Sequence, residues 1–127
     1  QHGDMTEHAT HAKNIDRPLA GLLRDLKRRG MFDDTLVVWT TEFGRTPFNN
    51  SAGNAGREHH SWAFSSWLAG AGVKRGFVHG ATDEHGIRAA EGRFHFRDLH
   101  ATILHLIGLD PAPMTYRHAA RDFRLTD

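Results

Sequence analysis

Three groups of residues could do chemistry. Glu42 ends an apolar run and is followed by Gly44 and Arg45, His59 and His60 follow Arg57 and Glu58, and His2, His8 and His11 crowd the first residues. A carboxylate with imidazoles is the donor set for a divalent metal in a chain with no cysteine, and arginine is the side chain that clamps an anion through two parallel bonds. Each feature also has a plainer reading. Glu42 either enters a site or caps a loop and pairs with Arg45. Arg45 either holds an anion or covers strand-end carbonyls. His59 and His60 are adjacent, so on a strand they face opposite ways and at most one of them joins Glu42. His8 and His11 have helical spacing, a weak metal signal, and His100 and His105 do not share a helix face.

Glu42 is suspect because of what precedes it. Leu36-Val37-Val38-Trp39-Thr40-Thr41 is a short apolar, β-branched run that reads as a buried strand. Open α/β sheets place their chemistry at strand ends of this kind. Before it, Ile15, Leu19, Leu22, Leu23 and Leu26 form one apolar stripe, so the spacing predicts a helix from Asp16 to Arg29. Asp16 is its cap, Pro18 lies in the first turn and Gly30 is the stop. A helix leading directly into an apolar strand is half of a βαβ unit and predicts a parallel sheet. Residues 1–14 are expected to be a loop passing into a helical turn, and 46–57 a surface loop. A second strand is expected over Trp62 to Ala69, and an irregular glycine-rich stretch with at most a short hairpin around Phe77-Val78. A small strand is read at Phe94-His95-Phe96, followed by a helix capped by Asp98 that carries Leu99, Ile103, Leu106 and Ile107 and stops at Gly108. The tail shows no clear period.

With 127 residues the chain is one domain at most, and a start at Gln1 suggests a fragment. Sixteen Lys and Arg against fifteen Asp and Glu leave a net charge of +1, too weak a field to argue for nucleic acid. The arginines of the tail are interleaved with acids. No apolar run approaches the roughly 20 residues that span a bilayer, so no membrane insertion is expected. Phosphate-loop, GxSxG and HExxH motifs are absent, which removes their mechanisms.

Several motifs in order carry a resemblance. Glu42-Phe43-Gly44-Arg45-Thr46-Pro47, Gly56-Arg57-Glu58-His59, Gly80-Ala81-Thr82-Asp83-Glu84, Asp98-Leu99-His100-Ala101-Thr102-Ile103-Leu104 and Arg121-Asp122-Phe123-Arg124-Leu125-Thr126-Asp127 cover nearly all of the chain. They resemble an uncharacterised sulfatase-like bacterial family, domain of unknown function 1501, of the alkaline phosphatase superfamily. The resemblance implies a partial parallel-sheet sandwich, the C-terminal part of that α/β fold, over residues 1–127. It implies that Glu42, His59 and His2 bind a divalent metal (Zn, Ca or Mg), with the partner aspartate of His2 lying before Gln1. It also implies that Arg45 or Arg57 stabilises charge on a phosphate or sulfate ester. Phe43 stands where the superfamily usually has a second ligand histidine, and phenylalanine cannot ligate. The superfamily nucleophile does not match any position of this chain, so the piece alone is expected to be inactive. The implied partner is a small anionic ester, or a sulfated glycan if the fold is kept without catalysis. The implied location is outside the cell or in the periplasm. A sheet missing neighbours leaves an open edge, and marginal stability is expected.

Overall fold

The computed structural model describes residues 4–49, 53 and 55–124. Two helices and four short antiparallel strand pairs make up its mixed α/β architecture. Helix α1 spans His8–Arg28. It starts well before Asp16, because Ala9, Ala12 and Lys13 favour helix even though the segment lacks an apolar stripe. Asp16 is therefore not the cap, and Pro18 lies inside the helix, where its missing N–H costs one bond to the turn before it.

Both helices stop as the sequence predicts. After α1 the N–H groups of Gly30 and Met31 reach back to the carbonyls of Lys27 and Leu26 at 3.1 and 2.9 Å. Gly30 takes φ +70°, and this left-handed residue closes a Schellman motif. Asp25 binds Arg28 and Arg29, each at 2.6 Å, across the last turn. Helix α2, Phe96–Leu106, ends in the same way at Gly108, whose N–H bonds the carbonyl of His105 at 3.0 Å while that of Leu109 bonds Leu104 at 2.9 Å. Its start differs from expectation. Residues 94–96 form no strand. His95 is the N-cap, its Nδ1 accepting from the Arg97 N–H at 3.1 Å, while Asp98 in the first turn accepts the His95 N–H at 2.7 Å. This reciprocal bonding is a capping box with an imidazole in the usual hydroxyl's place.

A 3₁₀ turn, Phe32–Asp34, leads from α1 into β1, Leu36–Trp39. Strand β1 pairs antiparallel with β4, Trp67–Gly70, in the register Leu36↔Gly70 to Trp39↔Trp67. The parallel sheet expected here is therefore not what β1 forms. The chain returns to β1 through loops and a tight ladder, without a crossover helix, and a direct return of that kind delivers an antiparallel neighbour. Among the described residues no parallel-sheet sandwich is present. Gly70, at φ +93°, is fixed by this pairing, since a Cβ there would overlap the Thr35 carbonyl oxygen.

Strands β2, Gly44–Arg45, and β3, His59–His60, form a second ladder. Strands β5, Ala81–Thr82, and β6, Ala89–Glu91, form a bulged third pair, so the hairpin of the glycine-rich region lies beyond Phe77-Val78. The tail folds into a fourth pair, β7 Thr115–His118 and β8 Arg121–Arg124, with Tyr116 stacked on Phe123 at 5.5 Å.

Little apolar surface is enclosed. Leu99 is the buried hydrophobic residue among those described, and Ile15 and Leu22 of the α1 stripe are 44% and 48% exposed. The accessible surface is 9800 Å², whereas a folded monomer of 14.3 kDa has about 6,800 Å². The apolar faces are formed but not covered within the described residues. No described helix is long and apolar enough to cross a membrane.

The β7–β8 hairpin turns through Ala119 and Ala120, at φ 47° and 63°. Two consecutive left-handed residues define a type I′ turn, which alanine occupies only with strain and Asn-Gly occupies readily. The double substitution Ala119→Asn, Ala120→Gly is expected to stabilise the hairpin by about 1 kcal/mol, slowing amide exchange within it roughly fivefold. Unchanged exchange would show that the turn adopts another conformation.

Candidate functional site

The β2–β3 ladder joins the two motifs that the sequence separates. Gly44 lies opposite His60 and Arg45 opposite His59. Thr46 locks the pair. Its buried hydroxyl donates to the Phe48 carbonyl at 2.7 Å and accepts the Glu58 N–H at 3.1 Å, while its own N–H bonds the Glu58 carbonyl at 3.0 Å. Gly44 must be glycine here, because a Cβ would overlap the Ala63 carbonyl oxygen.

Glu42 lies just before this ladder. Its carboxylate is within 3.3 Å of the Thr41 hydroxyl. Its own backbone N–H and that hydroxyl hold its carboxyl below the ordinary glutamate range, with smaller help from the His59 imidazole and the Arg45 guanidinium. Glu42 is therefore an ionised carboxylate with His59 and Arg45 in electrostatic reach. His59 is exposed and stacks on Phe43, with ring centroids 4.8 Å apart. His60 points the other way and is buried, at 5% exposure, as strand alternation requires. Its Nε2 has no hydrogen-bond partner among the described residues.

The two arginines meet at the same place. Arg45 Nη1 donates to the Arg57 carbonyl at 3.2 Å, and Arg57 Nη1 donates to the Gly56 carbonyl at 3.0 Å. Each guanidinium uses one donor on the backbone and carries four more. His2 lies outside the described residues. Among the described residues no group of three or more His, Asp and Glu side chains is arranged around one point. Glu42 and His59 are thus the two expected metal ligands whose neighbourhood is defined.

A groove of about 560 Å³ opens beside the ladder. Arg45, His60 and Phe43 line it together with Trp39, Phe64 and His8. His8, the first residue of α1, also lines the groove, a placement that the weak His8/His11 spacing does not specify. The alternation of His59 and His60 is the signal that separates an outward imidazole from an inward one. One wall, at Thr82 and Gly86, belongs to the β5–β6 hairpin. Its loop is organised by Asp83, whose carboxylate accepts the backbone N–H groups of Ile87 at 2.8 Å, Arg88 at 3.0 Å and His85 at 3.2 Å. Those bonds, Ile87 foremost, hold the Asp83 carboxyl below the ordinary aspartate range.

Two outcomes follow for this framework. Thr46→Val keeps the volume but leaves the Phe48 carbonyl and the Glu58 N–H without their partner. A loss of about 1–3 kcal/mol is expected in urea unfolding, largely restored by Thr46→Ser. For Asp83 the folded pKa lies below the unfolded one, so its stabilisation is present above the unfolded value of about 3.9 and disappears as pH falls through the folded value. Amide protection of 85–88 is expected to fall in that acid range, and Asp83→Asn should show the loosened loop already at neutral pH. Protection that survives Asp83→Asn would mean that the loop holds itself.

No curated protein and no solved structure matches the chain. The family described as Protein of unknown function (DUF1501) matches residues 1–127, and the chain belongs to that family.

Proposed function

We propose that this chain supplies the anion-recognising, metal-binding part of a hydrolase of phosphate or sulfate esters of the sulfatase-like, alkaline phosphatase type. The observation that carries the proposal is the β2–β3 ladder, which sets Arg45 opposite His59, with the Arg57 carbonyl bonded to Arg45 and the Glu42 carboxylate in electrostatic reach of Arg45 and His59, beside a groove that Arg45 lines. Neither a solvated histidine pair nor a loop cap requires that convergence.

The donor set fits a hard or borderline divalent ion. The Glu42 carboxyl is held below the ordinary glutamate range, with the exposed His59 imidazole near enough to contribute. Glu42 and His59 would hold two positions, and the resemblance gives a third to His2. A bound divalent ion would supply Lewis acidity at an ester oxygen. The chain's own contribution is electrostatic. Arg45 and Arg57, each anchored by one backbone carbonyl, direct their remaining N–H donors at charge that builds on the ester oxygens. The nucleophile would come from outside this chain.

One observation favours a second reading. Phe43 stacks on His59 where the superfamily usually has another ligand histidine, so the site has fewer ligands than a turnover enzyme of this type. The alternative is a non-catalytic descendant that binds an anionic ester or sulfated glycan.

The test is titration of the full-length protein with Zn²⁺, Mn²⁺, Mg²⁺ and Ca²⁺, followed by assay on p-nitrophenyl phosphate and sulfate. One of these metals is expected to bind, with affinity reduced at least tenfold in Glu42→Ala and in His59→Ala, and ester turnover should disappear in the same variants. Metal binding without turnover selects the second reading. No metal binding at all, or binding indifferent to both variants, overturns the proposal.

A further inference from the structure

Helix α1 is anchored at its two ends and open between them. His8, its first residue, lines the groove, and near the other end the Lys27 ammonium sits over the Phe32 ring of the following turn, 4.9 Å from the centroid. No α1 residue is buried. Ile15 and Leu22 of its apolar stripe are 44% and 48% exposed, and Leu19, Leu23 and Leu26 are half-buried. At about 100° per residue, Arg17, Arg24 and Arg28 fall opposite that stripe, while Lys13 and Lys27 fall on one flank.

Charge is concentrated on the same helix. Residues 8–28 hold five Lys and Arg against two Asp, a net +3 in a chain of net +1, so the remainder of the chain is net negative. Of the two acids, Asp25 is already bound to Arg28 and Arg29. A helix with a narrow apolar stripe and a polar face rich in Lys and Arg suits the plane of a lipid interface. The stripe is aliphatic throughout. It has no Trp or Tyr of the kind that anchors most protein interfaces, where Leu contributes little, whereas fluid acyl chains take up Ile and Leu without any match of shape. The field of an anionic leaflet reaches roughly 8–10 Å at physiological salt. That is about the 10 Å width of a helix, so arginines on the far face still feel it.

We propose that α1 lies flat on an anionic lipid surface, with the stripe from Ile15 to Leu26 in the outer acyl region and the basic face held by the charge of the headgroups. The contact is one-sided, since no described helix is long and apolar enough to cross a membrane. It is independent of the ester-binding reading of the site.

The test is co-sedimentation of the full-length protein with vesicles of phosphatidylcholine alone and of equal parts phosphatidylcholine and phosphatidylglycerol. Binding to the anionic vesicles is expected to be at least tenfold tighter and to weaken as salt is raised. Ile15→Ser with Leu22→Ser should lower that binding at least tenfold, and Leu22→Met should retain it. Arg17→Glu with Arg24→Glu should remove the preference for anionic vesicles. All these side chains are exposed, and helix content by circular dichroism is expected to stay as in the wild type, which separates loss of the contact from loss of the fold. Equal binding to both vesicles, or anionic binding that either double variant leaves unchanged, overturns the proposal. So does an absence of vesicle binding, and self-association that Ile15→Ser with Leu22→Ser abolishes would then make a second copy the occupant of the stripe.

Discussion

The buried Thr46 hydroxyl holds together everything at the candidate site. A two-residue ladder has too few backbone bonds to fix a register by itself, and a one-residue slip would exchange the faces of His59 and His60. Thr46 prevents the slip because its side chain and its backbone both bind Glu58 while the hydroxyl also closes the turn at Phe48. Gly44 contributes from the other side. The Ala63 carbonyl packs where a Cβ would be, so the segment after β3 lies directly against the ladder. Glu42, Arg45 and His59 lie near one another as a consequence of these backbone contacts, and the attraction between Glu42 and Arg45 is a result of the arrangement rather than its cause.

Around this clamp the structure is thinly covered. Helix α1 has no buried residue, and β1, which is apolar on both faces, has one strand neighbour among the described residues. Most local rules are satisfied, with two Schellman stops, a capping box, an Asp83-organised loop and cross-strand aromatic pairs at Trp39–Trp67 and Tyr116–Phe123, against Pro18 inside α1 and the strained Ala119-Ala120 turn. These features define each element but enclose little apolar area, and enclosed area is the main source of folding free energy. The elements are therefore specified by local interactions more than by enclosed apolar surface.

Elements whose cause is local could be read from residue types. The apolar stripe from Ile15 to Leu26, the glycines that stop both helices and the β-branched run from Leu36 identify their elements because helix period, left-handed φ and strand propensity act over a few residues. The start of α1 was less legible, since His8 to Asn14 form helix through propensity without a stripe. The start of α2 was missed because an imidazole replaced the common capping side chain. The tail hairpin was invisible for a similar reason: its turn is Ala-Ala, where a type I′ turn normally announces itself with Asn-Gly.

For the site, residue types alone singled out Glu42, Arg45 and the His59-His60 pair, of which strand alternation lets at most one join Glu42, while the resemblance added Arg57 and chose His59. Family membership follows from the motifs themselves. Tertiary structure decided the rest, because pairing partners are set by contacts distant in sequence. It made β1 antiparallel to β4, brought His8 and Trp39 to the same groove as Arg45, and used one donor of each arginine on a backbone carbonyl. The direction of β1's neighbour depends on how the chain returns to it, which no short window contains. What each residue can do is a property of its type, whereas which residues act together is settled only when the backbone bonds of β2 and β3 close.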